Sequence, residues 1–452
     1  MLVLSPGETY IRHEPPLPSQ AGPLPSIQYA RQLQEPIMQQ SPHSHRVVIN
    51  LAKIRDNYRH LYNAAEYSGA ESIAPVILPA GPESAGPLRR DRELHWPRLI
   101  PVVKADAYGH GHTSICRALQ REGANLFASG SVSESAALRQ ELLEHAESGD
   151  GPLPEIIALL GIMDENDVRL AYENAIIPVI HCFEQLALLG KTKSLLPVVL
   201  KCNSGMNRLG FSTEDIPELL HALARMPHVR PVLAISHLAS ADTEQGKQAA
   251  HSQASVFAAM LETLRRAFPA LAASLGNTAG TLLSSEIEAA MGPHICRPGI
   301  GLYGGNPFTN TSLEPLGAKI SPAMSVSAPI IAVRELGTGC GIGYGHTFRA
   351  TKNMRVGIVA AGYADMFPRS MSNHGVLCVK GGRAPVIGRV SMQMIAIDLE
   401  SGMDAKPGDE AWLLGGPYDR ALTVEELASL WGSISYEVFC LLGHGHRVYE
   451  DS

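Results

Sequence analysis

A lysine at the end of an apolar run is the feature of this sequence that most directly suggests covalent chemistry. Lys104 follows Pro101-Val102-Val103, and a lysine held beside a dry protein core has a lowered pKa. An amine with a lowered pKa is what bond formation with a carbonyl compound requires. A lone lysine is more often a solvated surface residue, so this position by itself leaves both interpretations open.

The apolar run before this lysine is one of a series. The runs recur through the middle of the chain, and most are separated by helix-like segments; they cover residues 99–104, 125–130, 156–161, 176–181, 197–201, 232–237, 272–276 and 294–297. Strands that alternate with helices pair in parallel. Eight of them over about 200 residues predict a (β/α)8 barrel of the TIM type. A doubly wound open sheet is the alternative that the same spacing allows.

Polar side chains gather at one rim of this predicted barrel. Catalytic groups in such barrels come from the C-terminal ends of the strands. The polar residues at those ends are Lys104, Lys201, Arg208, His237, Asn277, Thr278 and Arg297. Gly299, in the turn after the eighth run, allows backbone N–H groups to approach a phosphate, which barrels often bind after strands seven and eight. The pattern predicts a rim with a reactive lysine and a phosphate-binding turn.

The last third of the chain has a different pattern. Strand-like segments separated by turns cover residues 324–333, 354–362, 375–379, 385–390, 392–399 and 409–414. Gly381-Gly382 lies between two of them, which is typical of a hairpin, and Thr423 with Glu426 has the spacing of a helix-capping box. We therefore predict a barrel over residues 47–311, followed by a mostly antiparallel β domain over residues 312–452.

Two segments fall outside this scheme. Residues 1–46 contain eight prolines and predict an extended or disordered arm. Residues 66–98 are rich in Pro, Gly and Ala and predict a surface insertion. Between them, Asn50 is placed to cap a helix with one apolar face. Ser131 with Glu134 predicts a capping box at a later helix.

Composition and charge exclude several classes of function. The 452 residues are 45% hydrophobic and 18% charged, with a formal net charge of −7, so the chain is a globular protein with no electrostatic attraction to nucleic acid or an anionic membrane. The seven cysteines include no CxxC pair, which argues against a zinc site and suits a reducing compartment. No apolar run of spanning length and no secretory signal is evident, so we expect a cytoplasmic protein without a metal.

Several longer motifs resemble those of alanine racemases and occur in that family's order. The segments that carry the resemblance are VKADAYGHG (103–111), NSGMNRLG (203–210), RPGIGLYG (297–304), GYGHT (343–347), GYAD (362–365), GRVSM (388–392) and SYE (435–437). The resemblance covers roughly residues 46–452, apart from the insertion. It departs from the family pattern at Asn203 and Gln393, where the family usually has Asp, and over residues 441–447.

The resemblance implies a pyridoxal-phosphate-dependent racemase that interconverts L- and D-alanine and supplies D-alanine for peptidoglycan. Lys104 would bind the cofactor and act on the D-enantiomer, while Tyr344 would act on the L-enantiomer. Tyr344 and Met392 would enter from a partner subunit, so the implied unit is a homodimer with shared sites. The implied cofactor-binding residues are Lys104, Tyr108, Arg208, His237, Asn277, Thr278, Arg297, Gly299, Ile300 and Tyr436. The implied substrate-binding residues are Arg208, Met392 and Tyr363, and Lys201 matches a position that is carbamylated in many members.

Three other functions are weighed against this one. Gln393 leaves open a racemase of broader specificity that acts on serine, lysine or arginine. A non-catalytic pyridoxal-phosphate-binding barrel would lack both the β domain and an equivalent of Tyr344. A barrel decarboxylase would use a cysteine near the C-terminus, and Cys440 lies within the motif of Tyr436.

Overall fold

The computed structural model describes residues 45–65, 73–80, 91–146, 152–400 and 402–451. The predicted N-terminal arm therefore lies almost entirely outside the described residues, and so do residues 66–72 and 81–90 of the predicted insertion. The described residues all belong to the unit His43–Ser452.

Short strands and helices alternate before residue 305, and strands predominate after it. In chain order the strands are β1 (Arg46–Asn50), β2 (Val76–Leu78), β3 (Arg92–Leu94), β4 (Leu126–Ser129), β5 (Glu155–Ala158), β6 (Ile176–Ile180), β7 (Leu196–Lys201), β8 (Val229–Ile235), β9 (Ala272–Ser274), β10 (Met324–Leu336), β11 (Gly341–Ile342), β12 (Phe348–Arg349), β13 (Met354–Val359), β14 (Val376–Val379), β15 (Gly382–Pro385), β16 (Ile395–Leu399), β17 (Glu410–Leu414) and β18 (His446–Glu450). The α-helices are α1 (Leu51–Ala64), α2 (Lys104–Tyr108), α3 (His112–Gln120), α4 (Val132–Glu144), α5 (Glu165–Glu173), α6 (Phe183–Leu189), α7 (Ile216–Ala224), α8 (Glu244–Ala267), α9 (Thr278–Leu282), α10 (Ser284–Met291), α11 (Ile300–Tyr303), α12 (Val424–Trp431) and α13 (Ser435–Leu442).

The first group of strands forms a closed barrel. Strands β4 to β9 pair in parallel in chain order. The remaining two predicted runs join them through single bridges, Val102 with Ala128, Leu99 with Cys296, and Ser274 with Ile295. The eight runs thus occupy adjacent positions around a ring, which confirms the predicted barrel and removes the open-sheet alternative.

The barrel strands are apolar because they are covered on both faces. Every residue of β4, β5 and β6 is buried, as parallel strands between a barrel interior and a ring of helices must be. The helices bury one face each. In α1, Asn50 accepts a hydrogen bond from Lys53 N at 2.9 Å, and Ile54, Tyr58 and Leu61 are buried, as the spacing of apolar residues predicts.

The second sheet is mostly antiparallel. Its strands lie in the order β15-β14-β17-β10-β1-β18, with β13 beside β10 and β16 beside β13. Strand β1 pairs antiparallel with β10 and parallel with β18. A strand that precedes the barrel in sequence therefore belongs to the second sheet, so a single cut after residue 311 would separate it from its partners.

Details of the second sheet differ from the sequence pattern by a few residues. The hairpin between β14 and β15 turns at Lys380 and Gly381, with φ of +50° and +78°, whereas the sequence suggests Gly381-Gly382. Two positive φ values are the signature of a type I′ turn. Strand β15 ends at Pro385 and β16 begins at Ile395, so residues 386–394 are loop apart from one bridge. Helix α12 is capped by Thr423 as predicted, whereas α13 is not predicted.

The described part of the insertion packs beneath the barrel. Strands β2 and β3 form an antiparallel hairpin that buries Leu78 and Leu94. Arg92 in this hairpin forms an ion pair with Glu155, at 2.6 Å, at the start of β5. The start of a parallel barrel strand is the end opposite to the catalytic rim. The hairpin therefore supports the far end of the barrel and leaves the rim open.

Within the described ranges, no helix is both long and apolar enough to cross a membrane. The same residues contain no group of three or more His, Cys, Asp or Glu side chains that could hold a metal ion.

Candidate active site

Lys104 opens an irregular turn at the end of the first barrel strand. Residues 105–108 have φ of +53° or +54°, the left-handed region, which costs an L-residue about 1–2 kcal/mol. Backbone hydrogen bonds close the turn, from Gly109 N to Ala105 O at 3.0 Å and from Gly111 N to Asp106 O at 2.9 Å. Such strain persists only where surrounding contacts impose it, and it is concentrated at functional sites. We refer to residues 104–111 as the lysine turn.

The environment of Lys104 lowers the pKa of its amine. Burial is the larger cause and the guanidinium of Arg208 is the second, because both disfavour a charged ammonium group. The side chain is nevertheless exposed at the open rim, so its amine is accessible to a small molecule. The structure thus confirms the direction of the pKa change that the sequence context of Lys104 predicts.

The predicted basic residues of the rim lie close enough to influence one another. Burial lowers the pKa of Lys201 to about 7, with further contributions from Arg297 and Arg208. His237 has a pKa well below its ordinary value, first because it is buried and then because it faces four cations. Those cations are Arg297, Lys201, Arg208 and Lys104. A concentration of positive charge of this kind favours an anionic ligand. We refer to these five residues as the cationic cluster.

Arg297 is held rigidly within this cluster. It is 5% exposed, and its two terminal nitrogens donate hydrogen bonds to Ser274 Oγ and to the backbone oxygen of Ser236. Burial lowers the pKa of Arg297 to about 10, which still leaves the guanidinium charged at neutral pH. Ser236 lies in the sixth predicted run and Ser274 in the seventh, and the sequence pattern gives neither serine a role.

The residues predicted to bind a phosphate lie together beside the cluster. Thr278 Oγ1 accepts hydrogen bonds from the backbone N–H groups of Gly299, at 3.1 Å, and Gly301, at 3.2 Å. A Cβ atom on Gly299 would lie 2.3 Å from the hydroxyl oxygen of Tyr108, so this close approach requires glycine. The rings of Tyr108 and Tyr436 are 6.0 Å apart. Burial raises the pKa of both tyrosines, that of Tyr436 to about 12, so both hydroxyls remain donors.

Asn277 and Ile300 shape the backbone at the same place. The side-chain oxygen of Asn277 accepts a hydrogen bond from Gly280 N at 3.0 Å and caps helix α9. Ile300 begins the short helix α11 and is 1% exposed. Both residues therefore fix the two turns that carry Thr278 and Gly299.

Two polar side chains, those of Glu134 and His110, support the lysine turn. Ser131 Oγ caps α4 as predicted, but the carboxylate of Glu134 instead accepts hydrogen bonds from Asp106 N at 3.1 Å and Gly130 N at 2.9 Å. His110 is fully buried, with its Nδ1 3.0 Å from the backbone oxygen of Tyr108. Both side chains thus contact the backbone of the lysine turn.

The residues predicted to contact substrate from the β domain lie on a different, exposed surface. Tyr344 is 72% exposed, Met392 59% and Tyr363 41%. Tyr363 N donates to Ser391 O at 3.1 Å, and Gly343 packs against the backbone of Arg389. These contacts bring the three segments side by side. We call Tyr344, Tyr363 and Met392 the tyrosine face.

The two departures from the family pattern have different settings. Asn203 accepts hydrogen bonds from Gly205 N at 3.2 Å and Asn207 N at 2.9 Å, contacts that an aspartate could equally accept. Gln393 is exposed beside Met392. The first change thus preserves the turn, and the second alters the surface next to the tyrosine face.

Two family models match most of the chain. The alanine racemase N-terminal domain matches residues 89–307, and the alanine racemase C-terminal domain matches residues 323–449. An alanine racemase from Nitratidesulfovibrio vulgaris is 44% identical over 358 residues, which cover 78% of this chain and 92% of that protein. The chain belongs to the alanine racemase family.

Solved alanine racemases share the fold. The biosynthetic alanine racemase from Pseudomonas aeruginosa is 30% identical, with a TM-score of 0.70 over 90% of this chain and 99% of that chain. Alanine racemase from Bartonella henselae with covalently bound pyridoxal phosphate has a TM-score of 0.68 over 90% of this chain and all of that chain. Its sequence identity is 23%, so this second likeness concerns the fold alone.

Proposed function

We propose that this protein is an alanine racemase that uses pyridoxal phosphate to interconvert L- and D-alanine. The observation that carries the proposal is the cationic cluster around Lys104, with the turn of Thr278 and Gly299 beside it. Membership of the alanine racemase family and the order of the motifs support the same activity. We further propose that the enzyme works in the cytoplasm and supplies D-alanine for peptidoglycan.

The residues of the rim fit pyridoxal phosphate. This cofactor carries an anionic phosphate and a phenolic oxygen. The cationic cluster supplies positive charge, and no acidic side chain is among the groups that shift the pKa of His237. A lysine whose amine loses its proton readily suits covalent attachment to the cofactor's carbonyl carbon. When bound, the cofactor makes the α-hydrogen of an attached amino acid acidic by delocalising negative charge. A related alanine racemase, that of Bartonella henselae, holds pyridoxal phosphate covalently.

Each group of residues then has a separate task. Lys104 Nζ would anchor the cofactor, and Arg208 would donate to its phenolic oxygen. The phosphate would be held by Tyr108, Thr278, Gly299, Ile300 and Tyr436, with Asn277 fixing the adjacent helix start. Since Lys201 has a pKa of about 7, its amine is partly uncharged and available for carbamylation, which would place a negative charge beside Arg208.

Racemisation requires a proton to leave one face of the α-carbon and another to arrive on the opposite face. We assign the D-side proton to Lys104 Nζ and the L-side proton to Tyr344 Oη. A free tyrosine titrates near 10, so the phenol needs a partner to work near neutrality. His237, which remains uncharged because of its lowered pKa and faces Arg297, is the side chain that we propose for this role.

Arg297 would face the ring nitrogen of the cofactor. A guanidinium stays charged at neutral pH, so it keeps an opposing nitrogen unprotonated and makes the ring a weaker electron acceptor. That limits the side reaction of transamination. The buried position of Arg297 and its bonds to Ser236 and Ser274 would hold it against this nitrogen.

The exposure of Tyr344 supports a homodimer. A general base must reach the reacting atom within a water-excluded site, yet Tyr344 is 72% exposed in a single chain. The tyrosine face adjoins further exposed apolar side chains, Met366 at 37% and Met394 at 50%. An isologous dimer would bury this surface and bring Tyr344 and Met392 to the partner's rim. Tyr363, with Met392, would then border the substrate entrance.

A broader-specificity racemase is the second candidate, and Gln393 is the observation that favours it. Loss of a negative charge at the substrate entrance weakens discrimination among side chains of different charge. This alternative keeps the same cofactor, the same two proton carriers and a small amino-acid substrate. It differs only in which side chain is preferred.

Steady-state rates on a panel of single enantiomers test both candidates. We expect racemisation of L- and D-alanine with kcat/KM at least about tenfold above that for serine, lysine or arginine. Equal or higher values for one of the others would favour the broader specificity. Absence of racemisation by cofactor-loaded protein would contradict both. Reduction of the loaded protein with borohydride should place the cofactor label on Lys104.

A further inference from the structure

Arg447 links the C-terminal strand to the lysine turn. It lies in β18, 338 residues from Gly109, yet its Nε donates to Gly109 O at 3.0 Å and to Gly443 O at 2.9 Å. Its Nη2 lies 2.5 Å from Asp106 Oδ2. One guanidinium therefore contacts a carboxylate and a carbonyl oxygen within the turn, and a second carbonyl oxygen at the end of α13.

Asp106 is the point where several supports of the turn meet. Its second carboxylate oxygen accepts a hydrogen bond from His112 N at 2.8 Å. Its backbone N–H donates to Glu134, and its own φ is +53°. Arg447 therefore contacts Asp106, whose left-handed conformation is also held by hydrogen bonds to His112 in α3 and Glu134 in α4.

The turn also rests directly on the backbone of α13. A Cβ atom on Gly443 would lie 2.2 Å from Gly109 O, and a Cβ atom on Gly109 would lie 2.4 Å from Phe439 O. Helix α13 also carries Tyr436, so the same helix supports the lysine turn and positions the Tyr436 hydroxyl. Arg447 Nε donates to the carbonyl oxygens of Gly109 and Gly443, which lie on either side of this contact. It does so within residues 441–447, where the sequence departs from the usual ending of the family.

We propose that Arg447 is a positioning residue that holds the lysine turn in its left-handed conformation, so that Lys104 and Tyr108 face the cofactor site. The inference rests on the proposed role of Lys104. Without the guanidinium, two carbonyl oxygens lose a donor and the Asp106 carboxylate loses its cation. Residues 105–108 are then free to relax toward the right-handed region that L-residues prefer, which turns the amine away from the rim.

An adjoining cavity makes a chemical rescue possible. A cavity of about 590 Å³ is lined by Asp106 and Arg447 and also by Gly111, His112 and Arg121. Replacement of Arg447 by alanine would enlarge this space at the point where the guanidinium binds. Guanidinium ion can enter it and restore the contacts with Asp106 and Gly109. Arg121→Ala is the matched control, because Arg121 lines the same cavity and contributes no side-chain hydrogen bond to the described part of the turn.

Hydrogen–deuterium exchange in cofactor-free protein tests the inference apart from catalysis. In Arg447→Ala we expect exchange of residues 104–111 to accelerate about 10- to 100-fold, as for loss of a charge-assisted hydrogen bond. Millimolar guanidinium chloride should slow it again, whereas sodium chloride at the same ionic strength should not. Arg121→Ala should match the wild type. Arg447→Lys should give partial protection, because an ammonium group lacks the fork that reaches both partners.

Cofactor affinity supplies the second measurement. Arg447→Ala should bind pyridoxal phosphate about tenfold or more weakly, with guanidinium again restoring affinity. Unchanged exchange in the turn would overturn the inference, as would acceleration spread evenly over β1 and β18, which would mean that Arg447 only anchors its own strand. If the turn responds as expected but wild-type protein binds no cofactor, the positioning role stands and the proposed function fails.

Discussion

The barrel rim and the tyrosine face each carry one of the two proposed proton carriers, and they differ in how completely one chain builds them. Lys104 starts a strained turn that Glu134, His110 and Arg447 hold in place, beside the cationic cluster. Tyr344 lies on an open surface and is 72% exposed. Contacts within one chain fix the rim residues, whereas one chain leaves the side chains of the tyrosine face exposed to solvent.

This difference separates two kinds of catalytic residue. A group that binds the cofactor requires a fixed geometry before any ligand arrives, and the lysine turn has it. A group that acts from the other face of the substrate can be supplied by a second molecule. Substitutions in the lysine turn should therefore impair cofactor binding, whereas substitutions in the tyrosine face should impair proton transfer alone.

Replacement of Lys104 should have the largest effect. Lys104→Ala removes both the covalent anchor and one proton carrier, so we expect activity to fall by at least about 10⁴-fold in both directions. The visible absorbance of lysine-bound cofactor should disappear. Retention of that absorbance with the label on another lysine would show that Lys104 is not the attachment site.

Replacement of Tyr344 should remove activity while leaving the rim intact. In Tyr344→Phe we expect the L-to-D rate to fall by about 10²- to 10⁴-fold, with cofactor absorbance equal to that of the wild type. Tyr418→Phe is a control, because it removes the hydroxyl of another exposed tyrosine that has no proposed role in the site. Near-normal turnover in Tyr344→Phe would show the assignment wrong.

Charge reversal at Arg297 should change the outcome of the reaction more than its rate. Arg297→Glu places a carboxylate where the structure holds a buried guanidinium, so the opposing ring nitrogen would be protonated. We expect pyruvate release from alanine, relative to racemisation, to rise about tenfold. Bound cofactor is measured first to confirm that the site is loaded, and Arg297→Lys keeps the charge as a control. No rise in pyruvate counts against the role.

Acid should weaken the support of the lysine turn, and His110 should account for part of that loss. Burial lowers the pKa of His110 to about 3, while an unfolded chain titrates near 6.5. Its contribution to stability is therefore complete above pH 6.5 and is lost as the pH falls toward 3. At pH 5 the loss should be about 2 kcal/mol.

Denaturant unfolding at pH 7 and pH 5 measures this contribution. His110→Asn should reduce the difference in unfolding free energy between the two pH values by about 2 kcal/mol. His251→Asn, at an exposed position, should leave the wild-type difference unchanged. Equal pH dependence in wild type and His110→Asn would mean that folding does not lower the pKa of this imidazole.

Much of the fold follows from local patterns. The eight apolar runs, the caps at Asn50, Ser131 and Thr423, and the strand-rich last third all correspond to elements of the structure. These signals depend on residues a few positions apart, so the sequence expresses them directly. The boundary after residue 311 stays a prediction, although the family domains end at 307 and begin at 323 on either side of it.

The supports of the site could not be predicted because they connect distant parts of the chain. Strand β1 pairs with β18 about 400 residues away, and no local pattern specifies a partner at that separation. The same holds for Arg447 with Asp106. No local pattern in residues 104–108 predicts a left-handed conformation, because that conformation depends on contacts with distant residues. The capping-box spacing predicts that the Glu134 carboxylate bonds to the backbone of Ser131. In the structure, that carboxylate instead accepts a hydrogen bond from Asp106 N in the lysine turn.

Subunit complementation tests the central claim that the rim and the tyrosine face of different chains form one site. Lys104→Ala and Tyr344→Phe protein, each inactive alone, are unfolded together and refolded with pyridoxal phosphate. Random pairing makes half of the dimers mixed, and each mixed dimer has one site with both native residues, so activity should return to about a quarter of the wild-type value. If the mixture stays as inactive as its components while wild type refolds fully, Lys104 and Tyr344 of different chains do not share a site.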